Sequence, residues 1–185
     1  FFNSSKNLKN SHEYFIQNYV ISLVLDGKVL KSISELKSTS EEKYLNFFSL
    51  NLILILDDIK RNNFVQAETK LVNLKRFEKD GKLQFVLYRT IKKYIELFLT
   101  KKISKNDFSE LGNIGKINNA FEKCYLEEPD TEKTFVNIIN SSDGDFSRYL
   151  FFYINHLISI GEIELAKKQV LKVNYLNSNL ITAQT

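Results

Sequence analysis

Apolar residues recur at spacings of three and four along most of this chain, from Ser11 onward. This is the period of an amphipathic helix, because residues three or four apart share one helix face. Residues 1–10 show no such period, and we expect them to be a lead-in. The pattern predicts helices at about 11–25, 29–37, 41–60, 64–76, 83–100, 116–127, 131–140, 147–160, 162–173 and 178–185.

The breaks between these helices alternate between tight and loose. Asp26-Gly27-Lys28 and Arg61-Asn62-Asn63 are tight breaks, and longer polar stretches follow each second helix. Such alternation is typical of stacked helical hairpins. It predicts one helical domain over 11–185, with hairpins at about 11–37, 42–76, 83–111, 116–140 and 147–173 and the start of a further helix.

The composition supports an all-α fold. The chain has 185 residues but only 6 Gly and 1 Pro. A β-sandwich or a doubly wound α/β fold needs frequent turn residues or a glycine-rich loop, so both are disfavoured. The hairpins also show a period, because Ala67 and Ala166 are three steps of about 33 residues apart. The same phase includes Ser32 and Thr134, and we expect all four small residues to face inward.

The last hairpin carries a family resemblance. Its residues are Leu150, Tyr153, Leu157, Gly161, Ile163, Ala166 and Val170. A unit of about 34 residues with large residues on the first helix, Gly at the turn and a small residue on the second helix resembles the tetratricopeptide repeat. The resemblance covers about 11–185, in a divergent, bacterial-type form, and implies a right-handed α-solenoid. The chain lacks the family's Trp, and Asn51 and Asp58 stand where large residues are expected, which affects the expected curvature.

The resemblance also implies a function, because tetratricopeptide arrays bind peptides or helices in a groove lined by their first helices. We therefore expect another protein as the partner, with no small-molecule substrate. Arg148 would pair with a carboxylate, Asn155 would bond peptide backbone, and Tyr14 and Phe151 would be apolar anchors. Leu52, Leu56 and Phe151 could instead only stack on the next repeat. The groove positions are Tyr14, Gln17, Ile21, Ser49, Leu52, Leu56, Arg148, Phe151 and Asn155.

The charge suggests a second possibility. The net charge is +4, and residues 75–105 hold ten basic residues against three acidic ones. Arg89, Lys92 and Lys93 share one face of the predicted helix 83–100, so an anionic partner, nucleic acid or a membrane surface, could bind there. The aromatic residues lie largely on another face and are not offered for base stacking, so nucleic acid is not favoured. The simplest interpretation is a solvated lysine face.

Catalytic and metal-binding motifs are absent from the sequence. His12 and His156 have no suitable ligand three or four residues away, and we expect Cys124 to have no nearby His. We expect no enzyme, no metal and no cofactor, with Cys124 as a small core residue. The adjacent acids Asp57 and Asp58 point about 100° apart on a helix, so we expect solvated carboxylates and no acid–base pair.

The compartment is predicted only from coarse features. A single Cys excludes an internal disulfide and fits a reducing compartment. No apolar run reaches the roughly 18–20 residues of a membrane span. We therefore expect a cytoplasmic protein. The chain begins at Phe1 and contains no Met, so we expect a segment of a longer array, and a periplasmic or membrane-associated location stays open.

Overall fold

The computed structural model describes residues 12, 14–103, 109–141 and 149–173. Over these ranges the regular elements are helices and there is no strand, so the all-α prediction is confirmed. The predicted lead-in at 1–10 and the predicted last helix at 178–185 lie outside the described residues.

Most predicted helices form within a few residues of their expected bounds. Two short 3₁₀ turns, Glu41–Lys43 and Ser109–Leu111, accompany them. The α-helices are α1 (Phe15–Leu25), α2 (Val29–Lys37), α3 (Phe48–Lys60), α4 (Phe64–Lys75), α5 (Lys82–Thr100), α6 (Asn113–Tyr125), α7 (Thr131–Ile139), α8 (Leu150–Ser159) and α9 (Ile163–Val173).

The largest difference is at the start of α3. The sequence predicts a helix from about residue 41, but α3 begins only at Phe48. The reason is Asn51, which is buried and whose amide competes with helix formation by bonding the preceding backbone. Its Nδ2 donates to the carbonyl oxygens of Tyr44 (3.1 Å), Leu45 (3.1 Å) and Phe47 (2.9 Å). The side chain of Asn51 therefore provides a hydrogen-bond donor to backbone carbonyl groups of the irregular segment before α3.

The chain divides into two compact units, residues 1–100 and residues 101–185. The sequence predicts one continuous repeat domain over 11–185, and that continuity stays a prediction. Within each unit the helices pack mainly on their neighbours in the chain, as successive hairpins do.

In the first unit, α3 separates two hydrophobic cores. One core joins α1, α2 and α3 and contains Ile16, Val20, Leu36, Phe47, Leu50 and Leu54. The other joins α3, α4 and α5 and contains Ile55, Ala67, Leu71, Leu74, Tyr88, Ile91 and Ile95. Because α3 packs on both sides, its sequence is apolar around most of its circumference.

Among the described residues of the second unit, α6, α7, α8 and α9 share a hydrophobic core. Phe135 and Tyr153 stack at its centre with ring centroids 5.8 Å apart. The core residues are Ile117, Ala120, Phe135, Ile138, Leu150, Tyr153, Ile154, Leu157 and Ala166.

Four hairpin turns repeat the same backbone geometry. Gly27, Asn62, Glu127 and Gly161 have φ of 73°, 60°, 56° and 86° and follow α1, α3, α6 and α8. Each turn has the bond pattern of a Schellman motif, in which an amide beyond the helix reaches back to the last full turn. The closing bonds join Lys28 N to Leu23 O (2.8 Å), Asn63 N to Asp58 O (2.8 Å), Glu128 N to Lys123 O (2.9 Å) and Glu162 N to Leu157 O (2.9 Å).

The expected small residues are buried in three of the four second helices. Ser32, Ala67 and Ala166 are at most 3% exposed, as predicted. The prediction for Thr134 is wrong, because this residue is only half-buried. Thr131, which is 1% exposed, occupies the inner position instead. The turn before α7 has five residues, 126–130, against three before α2, α4 and α9, and the inner face of α7 begins at the first residue of the helix instead of the fourth.

Candidate functional site

An open groove with apolar walls lies in the first unit, and we call it the apolar groove. Its volume is about 510 Å³. The C-terminal end of α1, the first half of α2 and the second half of α3 form its walls. The lining residues are Val24, Val29, Leu30, Ile33, Ile53 and Leu56, with Asp57, Lys60 and Arg61 at the polar end.

The groove exists because α2 and α3 carry more apolar side chains than their own core can cover. The buried side of α2 consists of Ser32, Ile33 and Leu36. Leu30 lies outside this side and is 71% exposed. Leu56 in α3 is 48% exposed, although the residues before it fill two cores. Clustered exposed apolar side chains beside a cavity are typical of a binding surface.

The polar end of the groove is built around Asp57. This carboxylate is 5% exposed and accepts hydrogen bonds from Nζ of Lys37 (2.6 Å) and Nε of Arg61 (2.9 Å). Burial alone would raise the pKa of Asp57, but the hydrogen bonds and charges of Lys37 and Arg61 outweigh it and lower the pKa. Lys60 and Arg61 line this end of the groove together with Asp57, so its lining carries a net positive charge.

The expectation that Asp57 and Asp58 are solvated is wrong. Both side chains are buried, and each is held by a cation from a neighbouring helix. Asp58 pairs with Lys70 of α4, while Asp57 pairs with Lys37 at the end of α2. The two carboxylates therefore connect α3 to the helices on either side of it, and they do not converge on one point.

Of the groove positions predicted from the resemblance in the first unit, only Leu56 lines the apolar groove. Tyr14 is 53% exposed and makes an edge contact with Phe47, 5.6 Å between ring centroids. Leu52 is half-buried and packs against the core of α3, α4 and α5. Gln17 and Ile21 on α1 are half-buried. Ser49 at the start of α3 is also half-buried, and its hydroxyl oxygen is shielded from solvent.

The predicted groove positions in the second unit lie on α8. Phe151 is 43% exposed and contacts Phe152 edge-on, 5.5 Å between ring centroids. Asn155 is exposed one turn further along. Arg148 lies outside the described residues.

The predicted anion-binding residues on α5 do not form an exposed cationic face. Anion binding at this face requires Lys93 to be exposed to solvent, but this residue is only 4% exposed. Arg89 is half-buried with its guanidinium 5.9 Å from the ring centroid of Phe85. Lys92 lies 3.7 Å from a carboxylate oxygen of Glu96.

The fold brings Cys124 and His156 together, contrary to the expectation that the thiol has no His nearby. Sγ of Cys124 lies 3.7 Å from Nδ1 of His156 across the α6–α8 contact. Burial raises the pKa of the Cys124 thiol, which favours the neutral thiol over the thiolate that a nucleophile needs. Neither this pair nor any other set of described residues groups three potential metal ligands.

Sequence reasoning missed most of the apolar groove because its walls come from three helices. A detectable signal is the pair of adjacent apolar residues Val29 and Leu30 at the start of α2, because one buried side of a helix cannot bury both.

Among the described helices none has the length and apolar character to cross a membrane. Comparisons with protein-family models, curated proteins and solved structures found no match to this chain.

Proposed function

We propose that this protein is a non-enzymatic interaction scaffold of tetratricopeptide-like hairpins, which binds an acidic amphipathic helix of another protein in the apolar groove. The observation that carries the proposal is the apolar groove itself, about 510 Å³ in volume and open to solvent beside Leu30 and Leu56. The repeated Schellman turns and the packing of neighbouring helices support the solenoid part of the proposal.

The apolar walls favour a helical occupant. An amphipathic helix binds a groove through side chains at positions i, i+3, i+4 and i+7, which together form one apolar stripe. Val29, Leu30 and Leu56 offer the matching apolar contacts from two facing helices. Covering Leu30 alone removes a largely exposed leucine from water, which contributes roughly 1.5–3 kcal/mol.

The charge at the rim favours an acidic occupant. Lys60 and Arg61 line the polar end, and Lys37 adjoins it through Asp57. Carboxylates that flank the apolar stripe of the partner would meet these cations. Such complementarity steers association and sets the orientation of the bound helix.

The contribution of Leu30 can be tested with a synthetic helix that has leucines at i, i+3, i+4 and i+7 and glutamates elsewhere. Its binding is measured by fluorescence polarisation. We expect Leu30→Gln to weaken binding by about tenfold because a main apolar contact is lost. Val72→Gln in α4 is the matched control, since Leu30 and Val72 are both 71% exposed and Val72 does not line the groove.

A second peptide tests the charge of the occupant. It carries lysines in place of the glutamates and should bind more weakly than the acidic peptide, with the difference shrinking at high salt. Equal losses for Leu30→Gln and Val72→Gln would contradict the location of the site. Equal binding of the acidic and basic peptides would contradict the acidic partner.

The alternative of an anionic partner bound at 75–105 has weaker support. It depends on Arg89, Lys92 and Lys93 acting together, and the burial of Lys93 leaves that group incomplete at the surface.

A further inference from the structure

A second groove lies between α6 and α7, entirely within the second unit, and we call it the lysine groove. Its volume is about 460 Å³, and eight of its nine lining residues carry a polar or charged group. The lining residues are Lys116, Asn119, Lys123, Asp130, Lys133, Thr134, Asn137, Ile138 and Ser141.

The sequence positions of these residues show that two helix faces converge. On α6, residues 116, 119 and 123 follow the three- and four-residue spacing of one face. On α7 and its flanks, residues 130, 133, 134, 137 and 141 do the same. The hairpin therefore places three ammonium groups, two amides and two hydroxyls around one cavity.

The positive charge of the lysine groove is local. Three lysines and one aspartate line it, whereas residues 101–185 carry 10 basic and 11 acidic residues in total. The acids within α6 and α7, Glu122 and Glu132, do not line the groove. Glu122 is fully buried, and Glu132 accepts a hydrogen bond from the hydroxyl of Tyr153 on α8 (3.3 Å).

Lys123 is the most constrained of the three lysines. Its side chain is 18% exposed and pairs with Asp130 at the start of α7. Its Nζ also donates to Oγ1 of Thr134 at 3.2 Å. The ammonium is therefore held at the wall of the groove, which lowers the entropy cost of engaging a ligand.

We infer that the lysine groove binds a small phosphorylated ligand, with Lys116, Lys123 and Lys133 around the phosphoryl group. A phosphate monoester carries close to two negative charges at neutral pH, which matches the surplus of two positive charges in the lining better than a carboxylate does. The volume suits a small ligand such as a mononucleotide, since such sites measure about 300–1,000 Å³. The amides of Asn119 and Asn137 would contact its polar remainder. This site is independent of the apolar groove.

The test uses pyrophosphate, AMP and adenosine as probes, with binding measured by calorimetry and by NMR shifts of the full chain at low salt. We expect pyrophosphate and AMP to bind and adenosine not to bind. Binding of pyrophosphate but not AMP would contradict a ligand of mononucleotide size.

Two variants test the lining residues. Lys133→Gln should weaken AMP binding by about tenfold, because it removes a charge-assisted contact. Asp130→Asn should strengthen binding, because one more net positive charge in the lining outweighs the lost ion pair, and Thr134 still holds the ammonium of Lys123.

The exposed pair Lys167 and Glu164 on α9 supplies matched controls for both changes of charge. Lys167→Gln and Glu164→Gln alter the net charge in the same way and should leave AMP binding unchanged. Equal effects at the two sites would show general electrostatic attraction and would overturn the proposal, as would the absence of binding by both phosphorylated probes. Circular dichroism verifies that each variant keeps its helices. If Lys133→Gln fails to fold, the comparison of Asp130→Asn with Glu164→Gln decides the question.

Discussion

The ammonium of Lys37, at the end of α2, lies 2.6 Å from Oδ2 of Asp57 in α3. This contact joins two hairpins, because α2 completes the first hairpin and α3 begins the second. Arg61 holds the other oxygen of the same carboxylate at 2.9 Å. The polar end of the apolar groove therefore depends on one buried acid shared by two cations.

Removing the charge of Asp57 should destabilise the first unit. We expect Asp57→Asn to lower the free energy of unfolding by about 1–3 kcal/mol, since it weakens two charge-assisted hydrogen bonds in a buried position. Urea denaturation followed by circular dichroism measures the change. Asp26→Asn is the control, because Asp26 pairs with Lys28 at the exposed surface and its loss should have no measurable effect. Equal effects of both substitutions would contradict a structural role for Asp57.

The same carboxylate should contribute to acid unfolding. The pKa of Asp57 is lowered in the folded chain relative to its ordinary value of 3.8. Its contribution to stability is therefore present above that ordinary value and is lost as the pH falls through the folded pKa. Urea titrations at several pH values should show the difference between wild type and Asp57→Asn shrinking toward acid. A difference that stays constant down to pH values well below the ordinary pKa would contradict this assignment.

Replacing Asn51 by the large residue that the repeat pattern expects should not improve the fold. Asn51→Leu removes the side-chain donor that three carbonyl groups before α3 share, although those of Tyr44 and Phe47 also accept backbone amides. We therefore expect a loss of about 1–3 kcal/mol in the free energy of unfolding. Gln66→Leu, at an exposed amide of α4, is the control for adding a leucine. A gain in stability from Asn51→Leu would show that packing outweighs the hydrogen bonds.

The shared turn geometry predicts opposite effects at two equivalent positions. Glu127 has a φ of 56°, which strains a residue with a side chain, so Glu127→Gly should stabilise the second unit by on the order of 0.5–1 kcal/mol. Gly161 has a φ of 86° and open space around its Cβ position, so Gly161→Ala should cost roughly 1–2 kcal/mol through the backbone alone. Thermal and urea unfolding measure both changes. Effects of the same sign at both positions would contradict the equivalence of the turns.

Cys124 should react slowly with alkylating agents. Burial raises the pKa of its thiol above the ordinary 9.0, so little thiolate is present at neutral pH. We expect iodoacetamide to modify Cys124 more slowly in the folded chain than in urea, as followed by mass spectrometry. Faster reaction of the folded chain at neutral pH would indicate a thiolate activated by His156 and would favour an enzymatic function.

The periodicity of apolar residues was sufficient to predict the all-helical fold and most helix bounds. It also placed Gly27 and Gly161 at equivalent turns. Both residues have a positive φ, which favours Gly, and the helix period is visible within each segment of the sequence. Ser32, Ala67 and Ala166 were predicted as inner residues for the same local reason.

Contacts between helices decided what the local pattern could not. The pairing of Asp57 with Lys37 spans 20 residues, and the approach of Cys124 to His156 spans 32. Thr131 replaced Thr134 at the inner position because the preceding turn is longer. The apolar groove and the lysine groove depend on how helices from separate segments face one another.

Sequence alone therefore determined which segments are helical and which side of most of them is apolar, because both depend on residues within a few turns. Tertiary structure decided which charges are buried and which apolar residues stay exposed, because burial depends on what packs against each helix.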